Sequence, residues 1–242
     1  MNLLLLEPAD IVSPSTAVVG GRRATHVSSV LRSKVGDSLA VGLLGGRMGV
    51  GIITALNDGA LSLELALDRD PPPSLPVVLV LALPRPKVLN RVIASVTSLG
   101  VKRIILVNAW RVEKSYWKSP RLEPSNLREQ AIAGLEQARD TVLPTIELQR
   151  LFRPFVEGEL SSLSERTLRL VAHPGAQAQL PENVDGPVTL VIGPEGGWIV
   201  PEIESLERVG FAPVSLGPRI LRVETAVAAV LSRLFRPSAR AG

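Results

Sequence analysis

The segment TLVIGPEGGW, residues 189–198, ends an apolar, β-rich run abruptly in a glycine-rich loop, Gly193-Pro194-Glu195-Gly196-Gly197. Three glycines in five residues let the backbone adopt positive φ angles and let a ligand approach main-chain N–H and C=O groups closely. The loop lacks the lysine and the serine or threonine of a Walker phosphate loop, and its spacing does not match a dinucleotide fingerprint. Taken alone, it could equally be a structural turn or a ligand-binding loop.

A second segment that could carry chemistry runs from residue 215 to 231 and reads SLGPRILRVETAVAAVL. It contains a glycine-proline turn and two arginines, Arg219 and Arg222, after which Glu224 opens an alanine-rich helix. The arginines could be ordinary surface charge or cationic donors to a reacting oxygen, and Arg222 could also form a salt bridge with Glu224. A carboxylate in the first turn of a helix is favoured by the helix dipole, so Glu224 also has a structural interpretation.

Positive charge is concentrated in the middle of the chain. Residues 85–128 carry ten basic side chains against Glu113 and Glu123, a net charge of +8 in a chain whose total is +4. Such a focused field suits a polyanion such as RNA. Bases can stack on aromatic rings while cations contact phosphates, although each tryptophan here could equally anchor its loop. The richest part, residues 108–122, interleaves four cations with three aromatics: Arg111, Lys114, Lys118 and Arg121 with Trp110, Tyr116 and Trp117.

The residue types present exclude several kinds of chemistry. The chain contains no cysteine, which excludes disulfides, thiolate metal sites and a cysteine nucleophile. The histidines are His26 and His173, and since neither has an obvious orienting partner in sequence, no general base is assigned. The apolar start of the chain is interrupted by Glu7 and Pro8, and the apolar run 77–83 is too short to span a bilayer. We therefore expect a soluble, cytoplasmic protein without a membrane segment or a metal.

A proline-rich stretch, DRDPPPSLP at residues 68–76, predicts a boundary between two domains, 1–70 and 76–242. Three consecutive prolines exclude helix and central strand there and favour an extended spacer. Upstream, short apolar stretches separated by glycine-containing turns are typical of a small antiparallel barrel or sandwich. A half-buried strand is predicted by the alternation of four leucines with polar or smaller residues, at Leu61, Leu63, Leu65 and Leu67.

Downstream, strand-like apolar runs alternate with helical patterns, which predicts a parallel sheet covered by helices, an α/β fold. Helices are predicted at about 125–139 and 224–235, and another follows the first strand with one apolar face, formed by Val88, Val92, Val96 and Leu99. The glycine loop follows a strand of this sheet, which is where open α/β sheets place ligands. The predicted strands lie near residues 77–83, 103–107, 167–172, 188–192 and 213–216.

The two loop motifs together resemble a known family. IGPEGGW, followed some twenty residues later by LGPRILRVETA, resembles the paired signature of the RsmE family, SPOUT-class methyltransferases that act on N3 of a uridine in small-subunit ribosomal RNA. Weaker similarity lies in THVSSVLRSKVGD, TSLGV and EQARDTVLP, at residues 25–37, 97–101 and 136–144. The resemblance implies S-adenosylmethionine as the cofactor, ribosomal RNA or the small ribosomal subunit as the partner, and a homodimer.

The resemblance also implies an N-terminal PUA-like β-barrel that binds RNA and a C-terminal SPOUT domain tied in a deep trefoil knot, which topology rules alone would not predict. We expect Arg222, or secondly Arg219, to stabilise the uridine N3 anion by donating towards its carbonyl oxygens. The implied cofactor-binding residues are Ala172, His173, Pro174, Gly193, Pro194, Glu195, Gly196, Gly197, Leu216, Gly217, Ile220, Leu221, Glu224, Thr225 and Ala226. The expected RNA contacts are Arg22, Arg23, Arg32, Arg111, Lys114, Lys118 and Arg121.

The sequence departs from the family pattern outside the cofactor motifs. Residues 94–101 read ASVTSLGV where the family usually reads QKATELGV, so serines replace a lysine and a glutamate. The segment EQARDT likewise differs from a more familiar EQ(S/C)GR. These changes leave methyl-donor use intact and leave the RNA target open, so one alternative is a SPOUT methyltransferase with a different RNA target. The other alternative is a non-catalytic RNA-binding or ribosome-assembly protein on the same fold, against which the intact glycine loops weigh.

Overall fold

Two six-stranded sheets form the fold of residues 2–57 and 59–236, the part of the chain that the computed structural model describes. The chain divides into two units. The first runs to Pro73 and includes Ile132–Leu143, and the second holds Ser74–Ala131 and the chain from Pro144 onward. The inclusion of residues 132–143 in the first unit was not expected from the sequence, and Leu135 of this segment packs there with Leu3 and Leu5.

The sheet of the first unit has the order β1-β4-β5-β6-β3-β2 and is antiparallel except for β1, which pairs parallel with β4. The predicted alternation in β6 is confirmed, since Leu61, Leu63 and Leu65 are buried while Glu64 and Ala66 are exposed. A short helix, α1 (Gly21–Thr25), continues into one π-helical turn at His26–Val30. The strands are β1 (Leu4–Leu6), β2 (Ile11–Ser13), β3 (Thr16–Gly20), β4 (Ser38–Leu43), β5 (Met48–Asn57) and β6 (Ala60–Arg69).

The sheet of the second unit is parallel throughout and has the order β12-β10-β11-β7-β8-β9, which confirms the predicted α/β fold. The central strand β11 is buried at every position, because a parallel sheet covered on both faces demands continuous apolar runs. The strands are β7 (Val77–Ala82), β8 (Arg103–Val107), β9 (Thr145–Gln149), β10 (Leu168–Ala172), β11 (Val188–Ile192) and β12 (Ala212–Val214).

The helix after β7 buries the predicted face only in part, since Val92 and Val96 are buried as expected. Its buried apolar residues are Leu89, Val92, Ile93 and Val96, whereas Leu99 follows the last helical turn and is 37% exposed. Among the described residues, every helix falls short of the length and apolar character that crossing a bilayer requires. The helices are α2 (Pro86–Ser98), α3 (Pro124–Ala138), α4 (Phe152–Pro154), α5 (Ser161–Leu163), α6 (Val200–Arg208) and α7 (Val223–Leu234), with single turns at Pro8–Asp10, Lys114–Lys118, Pro120–Leu122 and Phe155–Leu160.

Candidate functional site

Three neighbouring strands end at the same edge of the parallel sheet: β10 at Ala172, β11 at Ile192 and β12 at Val214. The loops that follow them surround a cavity of about 320 Å³ with mainly apolar walls. Small-molecule sites typically measure ~300–1,000 Å³. The lining residues are Arg111, Ala172, His173, Pro174, Leu180, Ile192, Gly193, Pro194, Glu195, Gly196, Gly197, Trp198, Val214, Leu216, Gly217, Arg219, Ile220, Leu221, Val223, Ala226 and Val230.

The structure brings thirteen of the fifteen residues expected to bind the cofactor to this one cavity. The other two, Glu224 and Thr225, are not among the described residues that line it. The Glu224 carboxylate lies 3.7 Å from the guanidinium of Arg91, so it joins α7 to α2. This contact gives Glu224 a structural partner other than Arg222, the partner that the sequence had also allowed.

Backbone hydrogen bonds join the loops after β10 and β12. The N–H of His173 donates to the carbonyl of Val214 at 2.9 Å, and the N–H of Leu180 donates to the carbonyl of Ser215 at 2.9 Å. The Ser215 hydroxyl accepts the N–H of Gly217 at 3.1 Å, and this turn needs glycine because its φ is +118°. One wall of the cavity is therefore built from two loops that hold each other in place.

The glycine loop after β11 is shaped by close approaches that only glycine permits. A Cβ atom at Gly193 would lie 2.9 Å from Nε1 of Trp198, and a Cβ atom at Gly196 would lie 3.0 Å from Cδ of Arg111. Gly197 has a φ of +73°, and its N–H donates to the carbonyl of Pro194 at 2.8 Å. The loop is thus a tight turn packed against the indole of Trp198 and the side chain of Arg111.

Two carboxylates, the exposed Glu195 and the buried Glu202, accept backbone N–H groups around this loop. Glu195 accepts the N–H of Arg85, the residue that precedes α2, at 2.9 Å. Glu202, 6% exposed in the first turn of α6, accepts the N–H groups of Ile199 at 3.0 Å and of Trp110 at 2.7 Å. Glu202 thus caps the start of α6, whereas Glu195 holds the start of α2.

Two polar atoms at the cavity are buried without a hydrogen-bond partner in the described part of the chain: Nε1 of Trp198 and Nδ1 of His173. Trp198 is 5% exposed, and its ring lies 5.6 Å from that of Phe152. Buried polar atoms are nearly always hydrogen-bonded, so unpaired ones beside a cavity mark positions where a ligand can supply the partner. Trp198 was not among the residues predicted to form the site.

The two candidate catalytic arginines occupy different positions. Arg219 is exposed and lines the cavity with its neighbours Ile220 and Leu221. Arg222 is exposed at the start of α7, and it is not among the described residues that line the cavity. Of the two arginines, Arg219 is therefore the one whose residue contributes to the cavity wall.

The basic segment of residues 108–122 separates into anchoring and exposed side chains. Trp117 is an anchor, because its Nε1–H donates to Oδ1 of Asn108 at 2.8 Å and the Arg150 guanidinium lies 5.0 Å from its ring centroid. Tyr116 is half-buried, and burial together with a hydrogen bond to Glu113 raises its pKa. Trp110 is 78% exposed. The exposed cations are Arg111, Lys114, Lys118 and Arg121, of which Arg111 also lines the cavity.

The arginines expected to contact RNA in the first unit differ in their environments. The Arg23 guanidinium donates to both carboxylate oxygens of Asp10, at 2.6 and 2.8 Å, and to the carbonyl of Leu5 at 3.0 Å. The hydrogen bond with Asp10 raises the pKa of Arg23. These contacts give Arg23 a structural role within the first unit, whereas Arg22 and Arg32 are exposed.

Comparison with known proteins identifies the class to which this fold and cavity belong. Residues 71–235 match the RNA methyltransferase domain family, a region that contains every loop around the cavity. The chain is 30% identical over 239 residues to ribosomal RNA small subunit methyltransferase E of Treponema pallidum, covering 95% of this chain and 88% of that protein. It is 28% identical to the protein of the same name from Mycobacterium tuberculosis, covering 90% and 85%.

Solved structures show the same fold. The chain superposes with a TM-score of 0.74 and 22% identity on ribosomal RNA small subunit methyltransferase E of Neisseria gonorrhoeae bound to S-adenosyl methionine, covering 94% of this chain and 95% of that one. A methyltransferase of Legionella pneumophila in complex with the same cofactor gives a TM-score of 0.72 at 23% identity, covering 96% of each chain. The fold and site are thus those of an RNA methyltransferase. The chain belongs to the ribosomal RNA small subunit methyltransferase E (RsmE) family.

Proposed function

We propose that this chain uses S-adenosylmethionine to methylate N3 of a uridine in small-subunit ribosomal RNA. The observation that carries the proposal is the meeting of the loops after β10, β11 and β12 around one cavity. The names of the relatives support ribosomal RNA as the substrate, and the two solved neighbours with this cofactor support S-adenosylmethionine.

The residues around the cavity fit an adenosyl cofactor. The apolar side chains of Leu180, Ile192 and Leu216 can contact an adenine ring, and the unpaired Nε1–H of Trp198 can donate to a polar atom of the nucleoside. The glycine loop exposes main-chain groups without side chains in front of them. Glu195 lines the cavity while holding Arg85, so its carboxylate keeps the loop in shape.

S-adenosylmethionine, when bound, supplies an electrophilic methyl group. The uridine must lose its N3 proton to solvent, after which the N–C bond would form as the methyl–sulfur bond breaks. In the N3 anion the negative charge spreads to the two flanking carbonyl oxygens. Arg219 lies at the cavity and is exposed, so its guanidinium can donate to such an oxygen as charge develops. We assign this role to Arg219. Because the loops would fix one of the two reactants, the cofactor, positioning supplies much of the acceleration.

The proposal extends to the architecture that the family resemblance implied. We propose that the first unit is a PUA-like RNA-binding barrel, that the second is tied in a trefoil knot, and that the protein works as a cytoplasmic homodimer. The knot rests on the family resemblance, which also implies cofactor binding by residues of these three loops. The exposed cations Arg22, Arg32, Lys114, Lys118 and Arg121 support RNA contact, because phosphate contacts come mainly from such side chains.

Calorimetric titration with S-adenosylmethionine and methylation of unmodified small ribosomal subunits test the proposal together. We expect saturable binding of the cofactor and the appearance of N3-methyluridine in mass spectra of the digested RNA. Arg219→Ala should lower kcat while cofactor binding persists, and Arg222→Ala should have the smaller effect on kcat. Absence of cofactor binding would contradict methyl transfer itself, and a methyl group on another atom would contradict the assigned target.

A further inference from the structure

A β-turn at Ala109–Val112 presents two side chains beside the cavity. The N–H of Val112 donates to the carbonyl of Ala109 at 3.0 Å, and both of these residues are buried, at 7% and 3% exposure. The two central residues, Trp110 and Arg111, point outward and are exposed. Since Arg111 lines the cavity, the large indole of Trp110 lies one residue from the site.

Three hydrogen bonds to other segments of the chain hold this turn in place. The buried carboxylate of Glu202 accepts the N–H of Trp110 at 2.7 Å, and the Arg111 guanidinium donates to the carbonyl of Gly196 in the glycine loop. The N–H of the preceding Asn108 donates to the carbonyl of Gln149 at 2.8 Å. Exposed tryptophans are unusual, and one on a fully braced turn is presented to a partner in a fixed geometry.

We propose that Trp110 is a stacking platform for an unpaired base of the RNA substrate at the mouth of the cavity. The platform rests on the proposed function for the identity of its partner. Every nucleobase has a π face that can stack on an indole, and single-stranded RNA is recognised largely in this way. Three exposed cations of the same segment, Lys114, Lys118 and Arg121, provide the positive charge that an RNA backbone requires.

Charge favours RNA over a second copy of the chain as the occupant of this surface. A two-fold interface brings the same patch of both subunits together. The segment around Trp110 carries exposed cations at Arg111, Lys114 and Lys118, so two such patches facing each other would repel. A polyanion with unpaired bases complements both the charge and the aromatic surface.

Fluorescence anisotropy with a labelled single-stranded oligouridylate tests the platform. An abasic strand of the same length, which has the same backbone but no bases, is the control ligand. Loss of one stacked base weakens binding by roughly 5- to 150-fold, so Trp110→Ala should weaken oligouridylate binding by that factor and leave abasic-strand binding unchanged. Trp110→Phe should restore most of the affinity. Leu151→Ala removes another exposed apolar side chain, 67% exposed, and should change neither affinity.

Salt dependence separates stacking from charge. Trp110→Ala should leave the slope of log affinity against log salt unchanged, whereas Lys114→Ala combined with Lys118→Ala should reduce it by about 0.7 for each lost phosphate contact. Equal oligouridylate binding by Trp110→Ala and the wild type would overturn the platform. A shift of Trp110→Ala from dimer to monomer in size-exclusion chromatography with light scattering would also overturn it, in favour of an interface between copies.

Calorimetry with S-adenosylmethionine keeps this inference separate from the proposed function. If Trp110→Ala binds the cofactor normally and has lost base-dependent RNA affinity, the result supports both the platform and the proposed function. Normal cofactor binding with unchanged RNA affinity defeats the platform alone. If the wild type binds no cofactor and Trp110→Ala still loses base-dependent RNA affinity, the proposed methyl transfer is contradicted and the platform is supported.

Discussion

Gly193→Ala tests the packing of the glycine loop against its tryptophan. The added Cβ would lie 2.9 Å from Nε1, 3.1 Å from Cε2 and 3.2 Å from Cδ1 of Trp198, whereas normal contacts exceed 3.4 Å. The indole is 5% exposed and lies 5.6 Å from the ring of Phe152, so it has little room to withdraw. The substitution therefore forces the indole or the loop to move by several tenths of an ångström.

Overpacking of this kind costs about 1–3 kcal/mol. In a protein of this size each kilocalorie shifts Tm by roughly 2–4 °C, so Gly193→Ala should lower Tm by about 2–12 °C. Displacement of the ring at the cavity wall should also weaken binding of S-adenosylmethionine. Differential scanning calorimetry and isothermal titration measure the two effects on the same protein samples.

A double-mutant cycle with Trp198→Leu isolates the cause. Leucine lacks the three ring atoms that the new Cβ would meet, so Gly193→Ala should cost almost nothing in that background. The coupling between the two substitutions should then equal the penalty of Gly193→Ala alone. An unchanged Tm in Gly193→Ala, or the same penalty with leucine at position 198, would refute the packing argument.

Three further substitutions test the braces and the charges. In Glu202→Gln the side-chain carbonyl oxygen can accept only one of the two N–H groups, so the free energy of unfolding should fall by about 1.5–3 kcal/mol. The substitution should also lower RNA affinity in the wild-type background but not in the Trp110→Ala background. Additive effects of the two substitutions on RNA affinity would contradict a role of Glu202 through the turn. Asp10→Asn should lower the free energy of unfolding by about 1.5–3 kcal/mol in urea denaturation, because the Arg23 guanidinium loses its charged acceptor, and a neutral outcome would contradict the structural role of that pair. Burial raises the pKa of Glu136, so the folded state holds this proton more tightly than the unfolded state and stability falls as pH rises from the usual glutamate range through the raised pKa. Glu136→Gln should therefore raise Tm at pH 7 and leave it nearly unchanged at pH 3, and an equal gain at both pH values would refute the assignment.

The regular elements with strong hydrophobic patterns could be predicted from the sequence. A strand buried on one face has alternating apolar residues, as at 61–67. A strand buried on both faces has a continuous apolar run, as at 77–83 and 188–192. Strand β9 was missed, because its sequence TIELQ is short and half polar and pairs only with β8. The buried face of α2 was partly wrong, because Leu99 continues the helical spacing beyond the last helical turn.

The loops of the site could also be predicted from local sequence patterns. The contacts that shape these loops could not be predicted, because they join residues far apart in the sequence. Glycine and proline mark turns wherever they occur, so the motifs at 193–197 and 216–221 are visible locally. The hydrogen bond from Arg111 to Gly196 joins residues 85 apart in sequence, and that from Trp110 to Glu202 joins residues 92 apart. Nothing in the local sequence of Glu202 distinguishes it from an ordinary first-turn carboxylate.

Three contacts brace the glycine loop and the turn beside it. Glu195 ties it to Arg85 before α2, Arg111 ties it to the turn after β8, and Glu202 ties that turn to the start of α6. A loop held on three sides loses little conformational entropy when a ligand binds, so more of the contact energy contributes to affinity. Because consecutive residues of one turn join the exposed Trp110 to the carbonyl of Gly196, the contacts that hold the glycine loop also hold the backbone that carries this indole.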